Sequence, residues 1–557
     1  MEGITQHMNR FLWLAMILFW SISVPAIAQD DWDEEGEIED TEVVIEKDRK
    51  IVLPPANRGY EKVAPLPIET NDEAQQYQFG NVEFIPPDIE PKLRVLTIKD
   101  QSLKKLYGNY LKAGVGNYAS TLIEGYFNSK RSKDSSVGAH FKTFGSAKGP
   151  VDRKNSGNSE LKTSLFGKYI TEPVVFNGAI EYGIDRSHFY GYSPGLEVDK
   201  DTIEQNYQRF KFLAGAEDSN NNPNVDYVFQ AYFGTTRDTY KAKENETGLT
   251  FDGSLKLNET LGVNWETQLF VGKRKDITEL RRNYWRMRPT VTTKIDQFRV
   301  AFGLNMVYEN DTLKNNDRFH FVPVITASYD LAPEISVYAG VQGDVIRNSL
   351  DKFAKENPFI GRQVTIANTV KKLELYGGIK GEVMDALNFE TGLSLADYRN
   401  LHFYVNSATD SSRFDIVYDT RKVPIIHWFA ELGYGKSDDF LLSIRGDIFA
   451  YDVKQVDRAW HRPNFMLSIF SSYNFYDKII LTGSVNAMGG LEGLNLQSNT
   501  SRKLDPIYDI NFKAEYLWSK RFSAFANFSN IGTKKYERYL NYPSRGLMIL
   551  GGITYSF

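Results

Sequence analysis

The chain contains no cysteine in 557 residues, which excludes a disulfide framework and a lipid-anchored cysteine alike. Its seven histidines are scattered, with no H-E-x-x-H and no clustered Cys/His spacing. Nothing in the sequence therefore points to a metal site or a cofactor. Formal net charge is only -5, so bulk charge argues against a nucleic-acid partner. After the N-terminus no apolar run is long enough for a membrane helix, and mean hydropathy is negative. A membrane β-barrel hides from hydropathy in this way, because its lumen-facing half is polar.

What is present begins with a secretory signal. Arg10 is the basic residue, Phe11 to Val24 is a short apolar core, and Ala26-Ile27-Ala28 reads as a cleavage site. Residues 1–28 are expected to be removed, leaving Gln29 as the mature N-terminus. Residues 29–105 form a second region. Asp30 to Glu42 carries nine acidic side chains, and seven of the chain's 20 prolines follow between Pro54 and Pro91. Such a segment favours solvated, extended backbone, and reads as a periplasmic tail or a lumen insert.

From about Leu106 to Phe557 the pattern is that of strands. Phe298, Val300, Phe302, Leu304, Met306 and Tyr308 share one face of a ten-residue alternation. Asp509, Asn511, Lys513 and Glu515 alternate with Tyr508, Ile510, Phe512, Ala514 and Tyr516. Period two, with charges on one face and greasy or aromatic groups on the other, defines a strand with two different environments. Outward Tyr308, Tyr329, Tyr516 and Tyr555 near strand ends read as an interfacial girdle.

Connection lengths separate a membrane barrel from a soluble sandwich. About 22 strands are counted, and connections of one parity are tight, such as Thr171-Glu172-Pro173 and Trp518-Ser519-Lys520. Those of the other parity are mostly long: 145–158, 187–204, 347–369, 399–422, 491–504 and 532–545. Short turns at one rim and long loops at the other organise a bacterial outer-membrane barrel, with the short side periplasmic. An even strand count leaves both termini in the periplasm. The fold class expected is all-β: a transmembrane antiparallel barrel of about 22 strands with a short extended N-terminal segment.

The C-terminal residues carry a resemblance. Phe525, Asn527, Asn530, Ile531, Lys535 and Tyr536, then Tyr542-Pro543-Ser544-Arg545-Gly546, Gly551 and the terminal Phe557, resemble the closing strands of TonB-dependent receptor barrels. The resemblance implies a 22-strand barrel and a role in transport across the outer membrane. It covers the barrel alone, since receptors of that family carry a plug domain of well over a hundred residues and only 77 residues lie between 29 and 105. Partners implied are outer-membrane lipid, a periplasmic energising protein or lipoprotein, and the barrel-assembly machinery during insertion.

Three candidate sites follow. Thr41-Glu42-Val43-Val44-Ile45 resembles a TonB box, a short strand that adds to a partner's sheet edge; alternatively it is an apolar patch packing in the lumen or on a lipoprotein. Arg274, Arg282, Arg286 and Arg288 form a ladder that either selects anionic or hydroxyl-rich solutes or pairs with lumen acids such as Glu266 and braces the wall. Gly191-Tyr192-Ser193-Pro194-Gly195 matches G-x-S-x-G with Asp185 and His188 nearby, but lacks the strand-to-helix context of a nucleophile elbow. The leading reading is a plug-less receptor-like barrel for solute passage or as part of a transport assembly, and not an enzyme. The alternatives are a non-transporting scaffold of an outer-membrane complex and, more remotely, a barrel hydrolase.

Overall fold

The computed structural model describes residues 108–557, apart from 130–131, 220–223, 311–312, 314–317, 385 and 438. Twenty-two of its strands form one sheet in which every neighbouring pair is antiparallel. The first of them, Tyr110–Gly116, pairs on one side with Ser120–Asn128 and on the other with the last, Met548–Ser556. Tyr110 lies opposite Ser556 and Gly116 opposite Leu550, so the sheet closes on itself and has no edge. The strand count and the closing strand agree with the sequence reading.

Side-chain alternation explains why these residues take this form. Phe302, Ile325, Leu375, Leu393, Phe212 and Phe229 stand exposed on the outer face. Their sequence neighbours Ala301, Val324, Glu374 and Ser394 are buried on the inner one. In the last strand Ile549, Ile553, Tyr555 and Phe557 point outward while Thr554 and Ser556 are buried. Exposed apolar rows on a closed wall are stable against lipid, where a charge at mid-depth costs about 2–4 kcal/mol. Aromatics mark the margins: Phe298 packs on Tyr329 with ring centroids 4.5 Å apart, Tyr308 on Phe319 at 4.9 Å, and Tyr555 stacks on Phe557 at 5.8 Å. The inner face is not uniformly polar, since Leu122, Phe525 and Leu550 form an inward apolar cluster beside the closing seam.

The rims differ as the connection lengths require. One carries tight turns, as at the three-residue connection Tyr476–Lys478, where Tyr476 and Asp477 at φ 51° and 52° take the left-handed backbone that suits the twist of tight hairpins. The other carries the long connections, now including 452–464, which the sequence reading did not single out. Three of these loops contain strands of their own. Leu401–Asn406 pairs with Phe414–Asp419, Glu492–Asn495 pairs with Thr500–Lys503, and the two hairpins join into a four-stranded sheet. Glu537–Tyr539 with Tyr542–Pro543 makes a third hairpin. The largest buried clusters lie among these loops. One is centred on Phe353, Ile360, Tyr404, Phe414, Tyr539 and Tyr542, the other on Phe403, Val405, Val423 and Trp460.

Closure depends on a close backbone approach at Gly552, where a Cβ would meet the Ala113 carbonyl oxygen and, at 2.7 Å, the Gly114 Cα. At Gly483 a Cβ has nothing within 4 Å. Gly552→Val is expected to abolish the fast-migrating form seen when an unheated barrel is run in SDS, whereas Gly483→Val retains it. Equal mobility shifts in the two variants would refute the role of this seam.

Candidate functional site

The arginine ladder lies on the inner face of two neighbouring strands, Leu261–Lys275 and Glu279–Ile295, where Arg282 stands opposite Gly272, Arg286 opposite Gln268 and Arg288 opposite Glu266. Each guanidinium meets a carboxylate. Arg286 donates to Asp344 at 2.9 Å and to Glu266 at 3.1 Å, and Arg288 lies 3.8 Å from Glu266. Arg274 reaches Asp276 at 3.1 Å. Arg282 lies 3.4 Å from Glu244 and donates to the Asn348 carbonyl at 2.7 Å and to Asn368 Oδ1 at 2.9 Å. Arg274, Arg286 and Arg288 are buried. Burying such charges is tolerable only when they are paired and hydrogen-bonded.

Through these pairs the wall holds a loop. Connection 347–368 carries the helix Leu350–Glu356, capped by Ser349, whose hydroxyl accepts from Lys352 N. Asp351 in its first turn pairs with the inward residues Arg209 and Lys211, the latter at 3.2 Å, and with Lys355 at 3.1 Å. Arg347 pairs with Glu246 and lies 3.6 Å over the Phe270 ring. Glu244 accepts from the Leu350 backbone N–H. The loop thus folds inward onto the lumen face of the wall.

Above it the long loops pack into a cap. Phe359 stacks on Tyr542 with centroids 3.7 Å apart, Tyr190 lies against Tyr542 at 4.8 Å, and Phe414 sits 5.5 Å from Tyr539. Tyr539 donates its hydroxyl to the Glu356 carbonyl at 2.6 Å. His402 Nε2 lies 3.2 Å from Glu356 Oε2, with burial lowering the imidazole's pKa against the opposing pull of Glu356, and Arg462 donates to the His402 carbonyl at 2.8 Å. Burial pushes the Glu356 carboxyl up, but His402 and Arg462 outweigh it and hold it at about 2. Burial, reinforced by the Arg538 charge, depresses His461 to about 3, so its ring is neutral where it packs against Phe414 and Tyr539.

The closing-motif residues serve this cap. Asn530, at φ 51°, donates to the Lys534 carbonyl at 2.7 Å and the Arg545 carbonyl at 2.6 Å, pinning the neck of the last loop. Arg545 reaches across to Asn158 Oδ1 at 2.7 Å and to the Lys148 and Ser156 carbonyls, each at 3.2 Å. Tyr536 packs on the Leu491, Leu504, Ile507 and Leu540 cluster. The Pro543 carbonyl accepts from Tyr190 at 3.4 Å, and Gly546 begins the approach to the last strand. The segment Thr41–Ile45 and the whole of residues 29–105 lie outside the described residues.

Gly191–Gly195 lies in a loop that leads to a four-residue 3-10 turn, Lys200–Ile203. His188 is bonded to the Gly157 carbonyl at 2.7 Å, Asp185 pairs with Arg209, and Tyr192 donates to Asp152 at 2.6 Å. Among the described residues no hydrogen bond joins Ser193 to His188 or Asp185. No group of three or more metal-ligating side chains is found among them either. Sequence reasoning missed Glu356, His402, Arg462 and His461, whose only advance signal is the aromatic density of the loops around them.

No protein-family model matches the chain, and no curated protein matches it. Solved structures do. The chain resembles the ferric enterobactin receptor PfeA of Pseudomonas aeruginosa, at 11% identity and a TM-score of 0.59 over 81% of this chain and 80% of that one. It resembles the ferric-catecholate import receptor Fiu of E. coli K12, at 10% identity and 0.61 over 81% and 82%. For the pyoverdine receptor FpvA of P. aeruginosa PAO1 the values are 13% and 0.59 over 82% and 79%. The chain has the barrel fold of TonB-dependent siderophore receptors, as the closing residues indicated.

Acidification erodes the cap in a defined window. A histidine whose folded pKa falls to about 3 from 6.5 contributes stability that is present above pH 6.5 and lost as pH falls toward 3. The slope is about 1.4 kcal/mol per pH unit for one group. Glu356, depressed to about 2 from 4.5, adds a loss in the same direction below pH 4.5. Hydrogen exchange in 400–422 and 530–547 is expected to accelerate between pH 6.5 and 3, and less steeply in His461→Phe. Exchange independent of pH after correction for the intrinsic rate would refute this.

Proposed function

We propose that this chain is an outer-membrane barrel that passes a solute, alone or within a transport assembly. Its long-loop rim faces outward and its tight turns and both termini face the periplasm. One observation carries the reading: a closed 22-strand wall, apolar outside and lined by buried ion pairs inside, with its long loops packed into a cap over one rim. A wall of that size encloses a lumen wide enough to conduct unless something occupies it. The signal at residues 1–28 supports export, and the wall's likeness to siderophore receptors supports transport as the class of activity.

Within this reading the arginine ladder braces. Arg274, Arg282, Arg286 and Arg288 each face a carboxylate, so their charge is spent on neighbours and on loop 347–368. Selection of a solute falls to the cap and to whatever residues 29–105 contribute as a tail or lumen insert. Thr41–Ile45 is the segment through which a periplasmic energising partner would act, by adding its strand to that partner's sheet.

The packed cap also favours a second reading, a non-conducting scaffold that offers its loops to a partner. Planar-bilayer conductance of the purified full chain and of a form lacking residues 29–105 divides the two. Solute passage predicts a low, gated conductance in the full chain and a large steady one in the shortened form. Silence in both would refute the pore and leave the scaffold.

A further inference from the structure

Two neighbouring strands, Phe465–Phe475 and Ile479–Gly489, present an uncharged inner face. Between Met488 near the long-loop rim and Ile480 near the other, the inward positions are Ser468, Phe470, Ser472, Thr482, Ser484 and Asn486. On either side the charges resume and are paired, Arg445 with Asp447 at 3.1 Å and Lys513 with Glu515 at 2.9 Å. The seam strands Phe522–Ser529 and Met548–Ser556 also lack inward charges, but there Leu122, Phe525 and Leu550 cover the surface with their own packing. The face is also the side of the lumen that loop 347–368 leaves open. That loop is held by Arg209 and Lys211 on the sixth strand of the wall, Glu244 and Glu246 on the eighth, and Arg282 on the tenth. The two uncharged strands are the eighteenth and nineteenth of the 22, half a circumference from the eighth. Met488 packs beneath the loop cluster of Leu491, Leu504, Ile507 and Leu540, which places the face under the cap.

Phe470 stands at the centre of this face. Its row across the wall reads Gly433, Ser443, Phe470, Ser484 and Asn511. Small side chains on both sides leave the ring half-buried, and at Gly433 a Cβ would meet nothing within 4 Å. Among the described residues no other ring, no cation and no buried cluster packs on Phe470. Inward rings elsewhere on the wall have such partners. Phe270 lies under Arg347, Phe525 under Lys112 at 4.6 Å, and Tyr338 donates to Glu390 at 2.6 Å. A phenyl ring facing a polar lumen forfeits most of the gain that burial would give it, so the wall itself does not account for this one. The hydroxyls around it are equally uncommitted. Of Ser443, Ser468, Ser472 and Ser484, only Ser484 has a hydrogen-bond partner among the described residues, accepting from Asn511 at 3.4 Å.

We propose that this face binds a neutral oligosaccharide in transit, with Phe470 as its platform. The C–H face of a sugar ring lies on the phenyl ring, and the sugar hydroxyls bond to Ser468, Ser472, Ser484 and Asn486. Serine hydroxyls and asparagine amides both donate and accept, as sugar hydroxyls do. An anion finds no free cation here, and a wholly apolar solute leaves the polar groups unpaired. The donors and acceptors that line a pore decide what it favours, so recognition within the lumen falls to the wall facing the arginine ladder. The cap screens what enters, and this face holds what has entered. The inference names a substrate class for the proposed transport function and rests on that reading.

The test uses the full chain purified in a detergent without a sugar headgroup, with binding read by saturation-transfer NMR titration. Maltohexaose is expected to bind, its ring C–H protons receiving saturation from the protein's aromatic protons. A galacturonate hexamer, of the same length but with a carboxylate on every ring, is expected to bind roughly tenfold more weakly. Phe470→Ala is expected to weaken maltohexaose binding by about tenfold, the upper end of what one aromatic face contributes, while Phe470→Tyr retains it. Phe512→Ala, on the outer face of the wall, should leave binding unchanged, and unheated gel mobility reports whether each variant is folded. No binding of maltohexaose by the folded chain, equal binding of the two hexamers, or undiminished binding by folded Phe470→Ala would each overturn the proposal. Binding is read without a membrane and conductance tests the transport reading, so the two fail separately.

Discussion

The structure depends on the pairing of Tyr110–Gly116 with Met548–Ser556. In lipid no water is present to satisfy a free backbone N–H or C=O, and each unsatisfied group costs several kcal/mol. A 22-strand sheet with one open edge would leave two rows of such groups facing hydrocarbon. Closure removes both rows, but it brings two distant parts of the chain into a register that permits little side-chain bulk. Gly114, Gly116, Gly551 and Gly552 lie in that seam, and the inward Leu122, Phe525 and Leu550 pack across it. The seam is therefore where a wall otherwise stabilised by local hairpins requires a long-range fit.

Once the wall is closed, its inner face sets a second constraint. A large polar lumen cannot be filled by small side chains, so its charges must find partners across strands or in the loops. Both occur on the same few residues. Arg286 joins Glu266 and Asp344 within the wall, while Arg209, Lys211, Glu244 and Glu246 reach out to loop 347–368. The loop brings Phe353 and Ile360 with it, and these nucleate the aromatic cluster that Tyr404, Phe414, Tyr539 and Tyr542 complete. Cap and wall are thus one packing problem, with ion pairs fixing the helix and apolar burial closing the loops over it.

This division explains what could be read in the sequence. Strand alternation is a local signal of period two, and the outward faces of Phe298–Glu309 and Ile507–Leu517 are where their residue order placed them. Loop parity gave the rims for the same reason, since a connection's length is local. The site was less legible because its contacts are not local. Arg209 and Asp351 are 142 residues apart and Arg545 and Asn158 387 apart, and no spacing rule joins them. The ladder could be named from its period on one strand, but whether its guanidiniums meet solute or carboxylate depends on strands and loops elsewhere in the chain. The loop hairpins were hidden differently: Leu401–Asn406 is buried at every position, so the alternation that betrays a wall strand is absent.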